Sequence, residues 1–144
     1  MSTNSLPAFD ETVQRTNAWL KDLMTWLHTD DRRLAYRALR AVLHALRDRL
    51  EPGLAVHLGA GMPMLVRGFY YEGWRPSDTP LPYHSLEEFH DCVMAEMQGF
   101  QEADPERLTG AVFDLLAARL PAGEIRKIAE SLPRDVRALW RIPA

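Results

Sequence analysis

AVLHALRDRLEPGLAVHLGAGMPMLVRGFY, residues 41–70, can be written above AVFDLLAARLPAGEIRKIAESLPRDVRALW, residues 111–140, without a gap. Nine of the thirty positions are identical at this offset of 70: Ala41/Ala111, Val42/Val112, Leu46/Leu116, Arg49/Arg119, Leu50/Leu120, Gly53/Gly123, Pro63/Pro133, Val66/Val136 and Arg67/Arg137. An aromatic closes each copy, Tyr70 in one and Trp140 in the other. Upstream, Trp19, Leu23 and Trp26 match Val93, Met97 and Phe100 at a slightly different offset. The period is too long for tetratricopeptide or ankyrin arrays, which also need more copies. The reading is a duplicated helical unit, about residues 10–74 and 85–142, whose halves pack face to face.

Helix signals run through both copies. Asp10 is expected to open a first helix with an apolar stripe of Val13, Trp19, Leu20, Leu23, Trp26 and Leu27. A second helix spans about Asp31 to Leu50. Pro52 and Pro63 suit the first turns of short helices, where a missing N–H costs little. The stretch RPSDTPLPYH, residues 75–84, holds three prolines and reads as the linker between halves. Ser85-Leu86-Glu87-Glu88 has the form of a capping box, and Asp104-Pro105-Glu106 places a cap and a proline in the preferred order. Pro121 and Pro133 mark two further starts, and no convincing alternating strand is found. The expected fold is all-α: about eight helices in two pseudo-symmetric four-helix halves, forming one compact bundle and a single domain over 1–144.

Composition narrows the function classes. At 144 residues the chain can bury a core without staples. The single Cys92 excludes an internal disulfide and a cysteine-based zinc site. No apolar run approaches the roughly 18 residues of a membrane span. The start, MSTNSLPAFDETV, lacks a basic region followed by an apolar one, so no secretory signal is read there and a cytoplasmic location is expected. The net charge of −3 argues against nucleic acid as a partner. Charge is nevertheless uneven: residues 31–75 carry eight Arg against four acids, and residues 76–144 carry seven bases against twelve acids.

LGAGMPMLVRGFYYEGWRP in the first copy, with GEIRKIAESLPRDVRALW in the second, resembles the bacterial family of domain of unknown function 2267. The likeness runs from about residue 10 to 142, and MLVRGFYYEGW is its most specific part. Gly61-Met62 before Pro63 departs from the family pattern, which has a Gln ahead of a Leu-Pro step. The resemblance implies a small cytoplasmic helical protein. It supplies no reaction, cofactor or catalytic residue.

Candidate sites must therefore come from the residues themselves. GFYYEGWRP, residues 68–76, crowds four aromatics beside Arg67 and Arg75. Consecutive aromatics point in different directions on a helix, so Tyr70, Tyr71 and Trp74 cannot all enter one core stripe. Either Phe69 and Trp74 pack while the tyrosine hydroxyls tie down the proline linker, or the stretch is an exposed aromatic and Arg contact surface of the kind that anchors partners. Arg67 and Arg137 occupy equivalent positions. The structural reading is that each caps carbonyls or pairs across the interface; the functional one is that both hold an anionic ligand between the halves. Arg33, Arg37, Arg40, His44 and Arg47 fall within about an 80° arc of one helix, a basic ridge that either binds an anionic partner or is solvated and paired with acids such as Glu87, Glu88 and Asp91.

Glu87 and His90 form half of a di-iron pattern, but no second Glu-x-x-His exists. His57 reads as a half-buried ring and Cys92 as a packed thiol. Phosphate loop, dinucleotide fingerprint and nucleophile elbow are all missing. The sequence points to a non-enzymatic module with a protein partner, no cofactor and no metal; a small anionic ligand bound between the halves is the alternative.

Overall fold

Prolines and short polar caps cut the chain into helices. The computed structural model describes residues 4–141. Residues 1–3, where the leader reading begins, and Ile142, the expected end of the second copy, lie outside the described residues. Among the described residues are α1 (Pro7–Leu27), α2 (Arg32–Arg49), α3 (Pro52–Ala60), α4 (Met64–Tyr71), α5 (Leu86–Ala95), α6 (Pro105–Arg119), α7 (Ala122–Glu130) and α8 (Arg134–Arg137), with a 3-10 turn at Pro76–Asp78 and no strand.

The caps explain most boundaries. Asp31 accepts from the amides of Arg33 and Leu34 and starts α2. Asp104 accepts from the Glu106 amide ahead of Pro105 and starts α6. Ser85 accepts from the Glu88 amide, yet Glu88 reaches back to the Ser85 hydroxyl rather than to its amide, so the box is closed through one side chain. Two expectations shift. Helix α1 begins at Pro7, with Asp10 inside its first turn, because a proline at the first position has its φ preset for a helix. Pro63 sits at the N-cap instead of the first turn, with an extended ψ of 149°, while Pro121 and Pro133 mark the starts of α7 and α8 as expected, from the same N-cap position.

The central element is α2. Ala35, Ala38, Leu39, Ala41, Val42, Leu43, Ala45 and Leu46 are all buried, and a helix apolar over most of its girth belongs in a core. Helices α1, α4, α5 and α6 pack around it, and α1 also lies along α6. The linker crosses the end of α2: Leu81 N–H donates to the Asp48 carbonyl, and Arg49 donates to the Tyr83 carbonyl while lying over its ring. Val13 and Trp26, placed by spacing in the α1 core stripe, are instead nearly half exposed. Trp26 lies only about 20° round the helix from the buried Trp19, but it stands in the last turn of α1 beside an open hollow. Val13 shares the face of Leu20 but stands at the end of α1, beside a groove rather than under a neighbour.

Local features recur at the offset of 70. Helices α2 and α6 end at Arg49 and Arg119, α3 and α7 span 52–60 and 122–130, and α4 and α8 begin at 64 and 134. The turn between the short helices repeats too: Gly61 and Ser131 amides donate to Leu58 and Ile128, and Met62 and Leu132 amides to Gly59 and Ala129. The leading helices do not match in length, α1 having 21 residues and α5 having 10.

Candidate functional site

The basic line along α2 enters the protein instead of riding over it. Arg33 is exposed and Arg37 half-buried, but His44 and Arg47 are buried. The cause lies in α4, which ends at Tyr71 and leaves its last carbonyls without helical donors. His44 Nε2 lies 2.6 Å from the Phe69 carbonyl, and Arg47 Nη1 donates to the carbonyls of Tyr70 and Glu72 at 2.7 and 2.9 Å. Cations at a helix C-terminus also suit its dipole. A carbonyl can only accept, so His44 donates through Nε2, and its Nδ1 lies 2.8 Å from both Glu96 carboxylate oxygens. Arg47 grips Asp48 with two further bonds. Arg40 pairs with Glu72 at 3.1 Å and stands 3.8 Å from Glu96. Burial works against its charge, but the bonds to Glu72 and Tyr36 outweigh that and hold the guanidinium more firmly protonated than usual. The acids engaged are therefore Asp48, Glu72 and Glu96, not the Glu87, Glu88 and Asp91 expected from sequence.

The aromatic stretch forms a ladder against α3. Tyr70 is fully buried and donates to the Ala55 carbonyl at 2.6 Å. Burial pushes its phenol well above the ordinary tyrosine range. Tyr71 is half-buried, donates toward the Val56 carbonyl, and lies between Tyr70 and Trp74 with ring centroids 4.9 and 5.3 Å away. The hydroxyls thus fasten α3 rather than the proline linker. Gly59 makes room for this: a Cβ there would fall 2.6 Å from the Tyr71 hydroxyl. Gly73, at φ 78°, turns the chain after α4, leaving Trp74 half-buried and Arg75 exposed.

Arg67 and Arg137 do one job twice. Arg67 donates to the carbonyls of Gly59, Ala60 and Met62, and Arg137 donates to those of Ala129, Glu130 and Leu132. Each guanidinium closes the bend between two short helices by satisfying carbonyls at the end of the first. An anion held by either would compete with those bonds.

Other singled-out groups are dispersed. His57 pairs with Glu124 across α3 and α7. Burial lowers the affinity of His90 for a proton and raises the Cys92 thiol above its ordinary value. Among the described residues, no three His, Cys, Asp or Glu side chains gather as a metal ion would need. No helix is long and apolar enough to cross a membrane.

What sequence reasoning missed is an apolar face. Leu6, Phe9 and Val13 stand exposed at the start of α1, and Met64 and Leu65 at the start of α4. The Leu65 amide donates to the Thr12 hydroxyl at 2.9 Å, which sets the two groups side by side. Beyond them an open groove of about 460 Å³ runs past Val13, Leu20, Tyr36, Leu65, Gly68 and Phe69. At Leu20 and Tyr36 it meets a second hollow of about 740 Å³, edged by Arg32, Arg33, Arg37 and Phe100. A separate hollow of about 330 Å³ beside Trp26 mixes charges already engaged, Asp104 as an N-cap and Asp114 with Arg141. The available signal for the groove was a glycine in the middle of an apolar helix, Gly68, with Leu65 three residues before it.

Residues 16–139 match the model of a family described as an uncharacterized conserved protein, DUF2267. No curated protein matches the chain.

Proposed function

Since the chain belongs to the DUF2267 family, whose description carries no activity, we propose its function from the geometry: a non-enzymatic binding module that receives a protein partner on the face shared by α1 and α4. The observation that carries this is the exposed set Phe9, Val13, Met64 and Leu65 around an open groove. Contiguous exposed apolar side chains at the rim of a concavity are the usual mark of a contact surface. The stretch from Arg67 to Arg75 then serves as the frame of that face. Tyr70, Tyr71 and Trp74 brace α4 against α3, and Arg67 sets its bend.

Leu65→Glu tests this directly. Replacing an exposed side chain away from special backbone features shifts stability by no more than about 0.5 kcal/mol. The variant is expected to unfold like the wild type and to lose the partner that wild type captures from the native cell. Retention of that partner by Leu65→Glu would remove the proposed surface.

The scaffold itself reads as a doubled unit, about residues 10–74 and 85–142, in two four-helix halves joined by the linker 75–84. Support comes from the helix boundaries, turn bonds and guanidinium clamps that recur at the offset of 70. Ala41/Ala111, Val42/Val112, Leu46/Leu116, Leu50/Leu120 and Val66/Val136 are buried in both copies. Arg67→Met and Arg137→Met should then act alike, each lowering the melting temperature by a few degrees through lost charged hydrogen bonds of roughly 1–2 kcal/mol. The double variant should show the sum, because separate sites add. A large effect at one position and none at the other would argue against equivalent roles.

A further inference from the structure

We propose that the occupant of the α1–α4 groove is an amphipathic helix of a partner protein, with an apolar face on Val13, Leu65 and Gly68 and an acidic end against Arg33 and Arg37. This rests on the binding-module reading above and names the class of partner.

Three observations carry it. The first is charge. Arg33 and Arg37 stand four residues apart on α2, so they share a face. Their guanidiniums make no hydrogen bond or ion pair among the described residues. The nearby acids are engaged elsewhere, Asp31 capping α2 and Glu72 pairing with Arg40. The groove is thus apolar at Val13 and Leu65 and cationic at its far end, which selects a ligand of the opposite pattern. The second is Gly68. It lies inside α4, and a Cβ there would meet nothing within 4 Å. Nothing within the chain demands a glycine, and glycine weakens a helix interior relative to alanine. What it provides is a bare stretch of backbone that a second helix can approach closely. The third is the other copy. Positions 134, 135 and 138 carry Arg134, Asp135 and Ala138 where the first copy has Met64, Leu65 and Gly68. The scaffold tolerates a polar face at this place, so the apolar one is not a requirement of folding. A groove walled by helices suits a helix, read through anchors at positions three, four and seven apart. No strand edge is offered among the described residues.

A displayed library of randomised 16-residue helical peptides, sorted on the full chain, tests the inference. Enriched peptides are expected to carry apolar residues at helical spacing and at least two Asp or Glu toward one end. Sorting on the Arg33→Glu/Arg37→Glu variant should reduce those peptides at least about tenfold and enrich Lys- and Arg-ended ones instead. Gly68→Leu should abolish both classes, while Gly68→Ala raises the melting temperature by a degree or more and weakens binding. Enriched peptides without acidic bias, acidic peptides indifferent to the charge reversal, or no enrichment at all would each overturn the proposal. So would a self-associating chain that Leu65→Glu renders monomeric, since the occupant is then a second copy. If Leu65→Glu loses its cellular partner while no acidic helix is enriched, the binding surface stands and only this occupant is wrong. If Leu65→Glu keeps that partner, the surface itself is wrong.

Discussion

Arg47→Met lowers the midpoint of thermal unfolding by about 10 °C. Methionine fills the volume of the aliphatic stem, so packing is largely kept and the loss is polar. Arg47 is 3% exposed and donates to two carbonyls at the end of α4 and to both carboxylate oxygens of Asp48. Removing it leaves the Tyr70 carbonyl unpaired in the interior and the Asp48 carboxylate without its cation. Breaking one side of such a buried arrangement costs about 3–5 kcal/mol. At this chain length each kcal/mol moves the midpoint by roughly 2–4 °C. Arg47→Lys separates charge from geometry. A single ammonium cannot reach Asp48 and both carbonyls at once, so it should recover less than half of the loss. Calorimetry on the three proteins decides it. A Met variant within two degrees of wild type would mean that water replaces the guanidinium and that α4 does not depend on it.

Phe113→Ala has an effect of similar size by another route. Phe113 is fully buried in α6, stacked on Trp140 with centroids 4.0 Å apart and edge-on to Phe89 at 6.2 Å. Truncation removes the ring and leaves a cavity, which costs about 3–5 kcal/mol. Trp140 also loses the surface it lies on, which leaves the four-residue α8 held by the buried Val136 and the Arg137 clamp. Hydrogen exchange should therefore show amides of residues 134–140 losing protection ahead of those in α2. If α2 and α8 open together, the end of the chain is held by more than that ring pair.

The helices were legible because their signals are local. Asp31, Ser85 and Asp104 each act on amides two or three residues away, and the apolar positions of α2 repeat at helical spacing. The fate of the basic line was not legible. Spacing shows that Arg33, Arg37, Arg40, His44 and Arg47 share an arc, but not how much of that arc another element covers. The partners that draw His44 and Arg47 inward lie 23 to 52 residues along the chain, and several are backbone carbonyls, which leave no trace in side-chain identity. Arg67 and Arg137 were readable as a repeated structural element because the repeat is itself a sequence feature. Val13 shows the opposite limit: its spacing from Leu20 gives the correct face, while whether a neighbour reaches that end of α1 is decided by tertiary packing.

The two guanidinium clamps bear on valency. Each fixes its bend through backbone carbonyls, so the clamp places no demand on the outward side chains of the short helices. One bend now presents Met64 and Leu65, the other Arg134 and Asp135. On the proposed surface only the first of these corners is adhesive, so the expected complex with a client is one-to-one, which sedimentation of the purified complex would check.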